Sequence, residues 1–220
     1  MIEQAGIFKK FQPVILKKIK KMFMSNFNIN LVKNLSIWYN KTPQTDVSGR
    51  EIMVILGIDP GYAIVGWGIV NFTGISYQPL GFGAITTEAN MDFNKRLEFI
   101  YDSISRIVTK SKPNAVAIEK LYFQNNQKTA INVAQARGVI LLSVQQQKIP
   151  IFEYTPLQIK TVVTGYGKAK KPQVMEMTRR LLHLKEVPKP DDTADALAVA
   201  LCHIQANGSG VRQILAQGRL

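Results

Sequence analysis

From Met53 onward the apolar and polar positions follow two alternating rhythms. Met53–Asp59 is a continuous apolar run closed by Pro60-Gly61, which predicts a buried strand. Ile64–Asn71 and Ser76–Thr86 read as the next two strands of an antiparallel meander, turning at Thr73-Gly74. In Asp92–Lys110 the period lengthens to that of a helix, with Leu97, Ile100, Ile104 and Val108 on one stripe. Ala115–Glu119 predicts a short buried strand, Asn126–Gln147 a long helix and Pro150–Tyr154 another strand. Pro156–Val163 is helical, Thr164–Lys171 a loop, and Pro172–Leu184 and Asp192–Gln205 the last helices. Three strands, then alternating helix and strand, then helices predict an α/β domain with a mixed central sheet.

The first 52 residues do not share these rhythms. They carry nine Lys or Arg against three acids, and the chain is Asn-rich over Asn26–Asn40. Phe8–Met24 has the pattern of a basic amphipathic helix, which suits a targeting or surface-binding arm. The simpler expectation is an over-extended start, with the folded domain beginning at Met53. The predicted organisation is therefore a basic extension over 1–52, one domain over 53–206, and a tail over 207–220. A chain of 220 residues suits one domain with a sizeable core and some chain left over.

Charge adds a partner class. The net charge is +13 and the pI near 9.8, so phosphate polyanions are the first expectation and an anionic membrane surface the second. Cys202 is the one cysteine, beside apolar residues in a predicted helix, so neither a disulfide framework nor a thiolate metal site can form from it. A reducing, cytoplasmic interior fits. His183 and His203 are not in zinc-ligand spacing. No apolar run is long enough to cross a bilayer, because Asp59, Pro60 and several glycines interrupt Met53–Val70.

Four carboxylates carry the candidate chemistry. Asp59 ends the first apolar strand in Gly57-Ile58-Asp59-Pro60-Gly61, where Gly61 permits close approach of a ligand or of backbone. Glu119 ends Val116-Ala117-Ile118-Glu119. If the two strands are parallel neighbours, both acids emerge at the carboxyl end of the sheet, where ligands collect in open α/β folds. Asp192 and Asp195, three apart, share one face of the last helix. Each has a plainer reading: Asp59 bonding its own turn, Glu119 pairing with Lys120 or Lys112, Asp191 and Asp192 capping the helix. Capping does not serve Asp195, which lies a turn further in among Ala194, Ala196, Leu197 and Ala198. Strand-end acids are costly to desolvate, and a divalent cation compensates for that. Two divalent ions held by four acids form a clamp for in-line phosphodiester displacement, and oxygen-only ligands favour Mg²⁺ or Mn²⁺.

Other residues face nucleic acid. The loop Thr164–Lys171 offers backbone N–H groups and the lysines Lys168, Lys170 and Lys171, with Lys160 just upstream. Tyr122 and Phe123 follow Glu119 and have the chemistry to stack on bases, although core packing is the plainer reading.

Taken together, Gly57-Ile58-Asp59-Pro60-Gly61, Ala117-Ile118-Glu119, Ala134-Gln135-Ala136-Arg137-Gly138, Phe152-Glu153-Tyr154, Thr164-Gly165-Tyr166-Gly167 and Asp192-Thr193-Ala194-Asp195-Ala196-Leu197-Ala198 resemble the RuvC family of Holliday junction resolvases. The resemblance spans Met53–Gln205 in order and at the family's spacing. It implies an RNase H-like (retroviral-integrase-type) fold, a five-stranded mixed sheet flanked by helices. It implies a homodimer that nicks two like-polarity strands of a four-way DNA junction symmetrically, with Mg²⁺, leaving ligatable 5′-phosphate ends. It implies a branch-migration motor as partner and no membrane. Carried onto this sequence, the catalytic and metal-binding acids are Asp59, Glu119, Asp192 and Asp195, served by two ions per site. Lys160 and Lys171 match family lysines near the scissile phosphate, and Tyr122 stands where the family usually has a phenylalanine. Residues 1–52 have no family counterpart. The long helix is the expected dimer element, with Ala134, Ala136 and Gly138 allowing close approach and Val139, Leu141 and Leu142 supplying burial. Three rivals share parts of the pattern: a hybrid or ribosomal RNA nuclease of the same fold, an actin-like ATPase, and a junction binder without catalysis.

Overall fold

The computed structural model describes residues 53–121 and 127–208. Five strands form one sheet in the order β3-β2-β1-β4-β5: β1 Met53–Asp59, β2 Ile64–Phe72, β3 Tyr77–Thr86, β4 Ala115–Glu119 and β5 Ile151–Tyr154. β1, β2 and β3 pair antiparallel, and β4 and β5 join parallel to β1. Five helices complete the domain: α1 Phe93–Ser111, α2 Gln127–Gln145, α3 Pro156–Thr164, α4 Lys171–Leu181 and α5 Asp191–Gly208.

Side chains alternate across a strand, and this sheet uses both faces. Ile55, Ala115 and Ala117 point into a core shared with the apolar run Leu197–Cys202 of α5. The alternate residues Leu56, Ile58, Val116 and Ile118 are equally buried on the opposite face, the side of α1 and α2. α3 and α4 pack on α5, and α2 packs chiefly on α1.

The contact between α5 and the sheet is closer than ordinary side-chain packing allows. A Cβ on Gly57 would collide with the Ala196 carbonyl and lie 2.7 Å from the Ala200 nitrogen. One on Gly66 would strike the Asp192 carbonyl, and one on Gly68 the Leu197 side chain. Glycines on the sheet and alanines on the helix thus let two backbones meet directly.

Most predicted elements agree with the structure within a residue or two, and the differences have local causes. The loop predicted over Thr164–Lys171 is shorter, because Thr164 completes α3 and Lys171 begins α4. Gly165 closes α3 in the left-handed conformation at φ 74°, its N–H donating to the Thr161 carbonyl. α4 stops at Leu181, not Leu184. The chain reverses at His183, φ 51°, and the Leu184 N–H returns to the Arg179 carbonyl at 2.9 Å. α2 ends at Gln145, followed by a left-handed Lys148, whereas α5 runs three residues past the predicted Gln205. Among the described residues no helix is long and apolar enough to cross a membrane.

Candidate active site

Parallel pairing of β1 with β4 brings two of the predicted acids together. The last paired residues are Ile58 and Ile118, so Asp59 and Glu119 come next on adjacent strands at the same carboxyl end. Both lie on the α5 face, because they alternate with Gly57 and Ala117. Across the other edge of β1, Asp59 pairs with Gly66, the glycine against which the Asp192 backbone is pressed. The first turns of α5, with Asp192 and Asp195, are therefore delivered beside the strand-end acids by backbone contact.

Asp59 lies in the field of the other three carboxylates. Burial and the neighbouring Glu119, Asp195 and Asp192 hold the Asp59 carboxyl well above its ordinary range, and Asp59 and Glu119 hydrogen-bond. Burial and Asp195 also raise Glu119, against the opposing pull of that hydrogen bond and of Lys160 and Lys171. Asp195 is raised by burial, partly offset by Lys171, whose Nζ lies 2.8 Å from its carboxylate and 3.7 Å from that of Asp191. Burial would depress the Lys171 ammonium, but the bond to Asp195 and the charges around it hold it above its usual value.

These contacts sort the plainer readings. Glu119 interacts with Asp59, Lys160 and Lys171 and not with Lys120, which is exposed. Asp191 is engaged by the Lys189 Nζ at 2.9 Å. The neighbour that needs Gly61 to lack a side chain is backbone, the Ile64 carbonyl. A cleft of about 240 Å³ opens over the cluster, lined by Glu119, Lys160, Lys171, Asp195 and the apolar Pro156, Ile159, Val174 and Ala198. Lys160 and Lys171 thus join the acids, while Lys168 and Lys170 are exposed on the loop beyond the cleft lining. Tyr122 and Phe123 lie outside the described residues, as do the 1–52 extension and the tail from 209.

The donor set is oxygen-only and rich in negative charge, which suits a hard divalent cation. Among the described residues no three acid, histidine or cysteine groups already stand in ligating geometry. Lys171, with its Nζ 2.8 Å from the Asp195 carboxylate, faces the same cluster.

The sequence reading missed one residue that shapes this site. Arg96 stands on the apolar stripe of α1 and is buried. Its guanidinium donates to the Thr87 hydroxyl and to the Glu88 carbonyl at 2.7 Å, and sits 5.5 Å from the Tyr62 ring. It thereby fastens the turn that follows Asp59. A cation on a helical stripe at i, i+4 and i+8 with Ile100 and Ile104 was the available signal.

The fold and its acid-lined, lysine-flanked cleft define a nuclease of the RNase H-like class. The family described as "Crossover junction endodeoxyribonuclease RuvC" matches residues 55–203. The chain belongs to the RuvC family. It is 54% identical over 151 residues to a crossover junction endodeoxyribonuclease RuvC of Alkaliphilus oremlandii, covering 69% of this chain and 92% of that one. The structure is similar to that of Thermus thermophilus RuvC, with 33% identity and a TM-score of 0.66 over 70% of this chain and 95% of the other. The T. thermophilus RuvC bound to a Holliday junction substrate superposes with the same TM-score at 31% identity, covering 72% of this chain and 97% of that one.

Proposed function

We propose that this chain is a structure-selective endonuclease that resolves Holliday junctions in recombination and repair by symmetric phosphodiester hydrolysis. The observation that carries the reading is the convergence of Asp59, Glu119, Asp192 and Asp195 at one sheet end, with Lys160 and Lys171 lining the same cleft as Glu119 and Asp195. These residue types are those a phosphate backbone and its counter-cations need.

In this reading the four carboxylates hold Mg²⁺, two ions per site with Mn²⁺ able to substitute, which when bound activates the attacking water and steadies the leaving oxygen. The residues do the rest. Asp59 and Glu119, at the ends of adjacent parallel strands, would hold the cation from the sheet side. Lys171 exchanges its hold on Asp195 for the incoming phosphate, and Lys160 supplies a second ammonium to the charge that builds there. Lys168 and Lys170 grip the strand outside the cleft, and Tyr122 stacks on junction bases. The apolar wall of Pro156, Ile159 and Val174 keeps bulk water from this electrostatics.

The exposed face of α2 supports a homodimer. Ile131 and Leu142 are 69% and 53% exposed, with Ala134 and Gly138 on the same face, and a Cβ on Gly138 would meet nothing within 4 Å. Of the residues expected to supply burial, Val139 and Leu141 are half-buried and Leu142 is exposed, so part of that surface awaits a second copy. Residues 53–206 form the catalytic unit, with 1–52 and 207–220 outside it. The protein acts in the cytoplasm beside the branch-migration motor that the resemblance implies.

The test uses a synthetic mobile four-way junction, in Mg²⁺ and in EDTA, with linear duplex as control, for the full chain and for residues 53–220. The expected result is paired symmetric nicks on the junction alone, lost in EDTA and unaffected by the truncation. Asp59→Asn should abolish nicking, by about 10³-fold or more, and leave junction affinity within a few-fold. Nicking by that variant in Mg²⁺ would remove Asp59 from the ligand set.

A further inference from the structure

We propose that Tyr166 is a stacking contact for a nucleobase of the DNA strand that leaves the cleft, and so helps set where the enzyme cuts. This rests on the reading of the cleft as a DNA nuclease site. Among the described residues, Tyr166 is one of the few large apolar side chains left exposed, at 57%. Two others, Ile131 and Leu142, lie on α2, and Phe152 packs against the His203 ring with centroids 4.5 Å apart. Tyr166 lies instead in the short loop that joins α3, whose Pro156, Ile159 and Lys160 line the cleft, to α4, whose Lys171 and Val174 line it too.

The backbone under Tyr166 is tied down while its ring is not. The Tyr166 N–H donates to the Thr164 hydroxyl at 3.2 Å. Its carbonyl accepts from the Ala169 N–H at 3.0 Å and lies 3.1 Å from that same hydroxyl, which reaches the Lys160 carbonyl at 2.7 Å. A Cβ on the next residue, Gly167, would lie 2.8 Å from Leu157 Cδ1 and 2.9 Å from Thr161 Oγ1, so the loop is pressed onto α3. Ala169 is buried beyond it. A fixed backbone that holds a two-torsion aromatic in water is preorganised for contact, because little freedom remains to be lost.

Charge identifies what it meets. Lys160 and Lys171 line the cleft, and Lys168 and Lys170 are exposed on the same short stretch. A surface with four ammoniums selects a polyanion, and the flat apolar faces of a nucleic acid are its bases.

The experiment measures junction affinity without cleavage, in EDTA, for wild type, Tyr166→Ala and Tyr166→Phe. Single nucleotides around the cut are replaced in turn by abasic sites, in the junction and in linear duplex. At one position the abasic site should weaken wild type and Tyr166→Phe by about 5- to 150-fold. Tyr166→Ala should show that loss on the intact junction and be indifferent to that abasic site. Wild-type affinity in Tyr166→Ala, or a deficit that persists unchanged at every abasic position, would overturn the proposal. Equal wild-type affinity for junction and duplex would instead overturn the resolvase reading, and the abasic comparison on duplex would still decide Tyr166.

Discussion

Asp59 binds its proton more tightly in the folded state than in the unfolded chain. Burial and three carboxylate neighbours cause this, so protonation stabilises the fold. That contribution is complete in acid, below the pKa of an unfolded aspartate, and is lost as pH rises through the raised folded value. Asn keeps the shape and cannot ionise. Asp59→Asn should therefore match wild type in melting temperature under acidic conditions and exceed it increasingly toward neutral pH, both in EDTA. Saturating Mg²⁺ should narrow or reverse that gap, because only wild type has the full ligand set. Thermal melts at several pH values read both effects, and a gap that shrinks as pH rises would contradict the picture.

At the scale of elements, the site depends on how α5 lies on the sheet. Gly66→Ala puts a methyl against the Asp192 backbone and must push the first turns of α5 outward. The expected destabilisation is at least about 1–3 kcal/mol, or about 2–4 °C in Tm per kcal/mol, with nicking reduced by more than junction binding. A variant with wild-type Tm and activity would show that the backbone contact is not what positions the acids. This contact also marks where the sequence stops being legible. Asp59 and Glu119 stand out because each ends an apolar strand, and Asp195 because it interrupts an apolar helix face. The glycines that bring α5 close do not, since a glycine in a strand does not name what approaches it. Nor does the partner of Asp195: the sequence puts Lys171 in a loop, and only the onset of α4 at that residue sets its ammonium against the carboxylate. The end of α4 is misleading in the sequence because Leu182, on the apolar stripe, is buried by the reversing chain and not by a further helical turn.

For the whole molecule, the charge distribution and the bare face of α2 make separate predictions. Replacing Lys168, Lys170 and Lys171 with Gln should weaken junction binding most at low salt. It should also flatten the dependence of log K on log [salt] by about 0.9 for each phosphate no longer neutralised, whereas an unchanged slope would make these lysines bystanders. Ile131→Asp with Leu142→Asp should leave the fold intact, since both side chains are largely exposed, and yield monomers in sedimentation. Such monomers should no longer cut in symmetric pairs, and dimers that persist would place the interface elsewhere.

The glycine-lined seat of α5 has a consequence for how such an enzyme can change over generations. Where two main chains touch, a swap of side chains can only force them apart and never bring them closer, so the reach between the strand-borne and helix-borne acids is a minimum gauge inherited with the fold. Variation in what is cut, and how fast, is left to the parts that rest on the gauge without setting it: the rim loops, the lysines and the exposed rings.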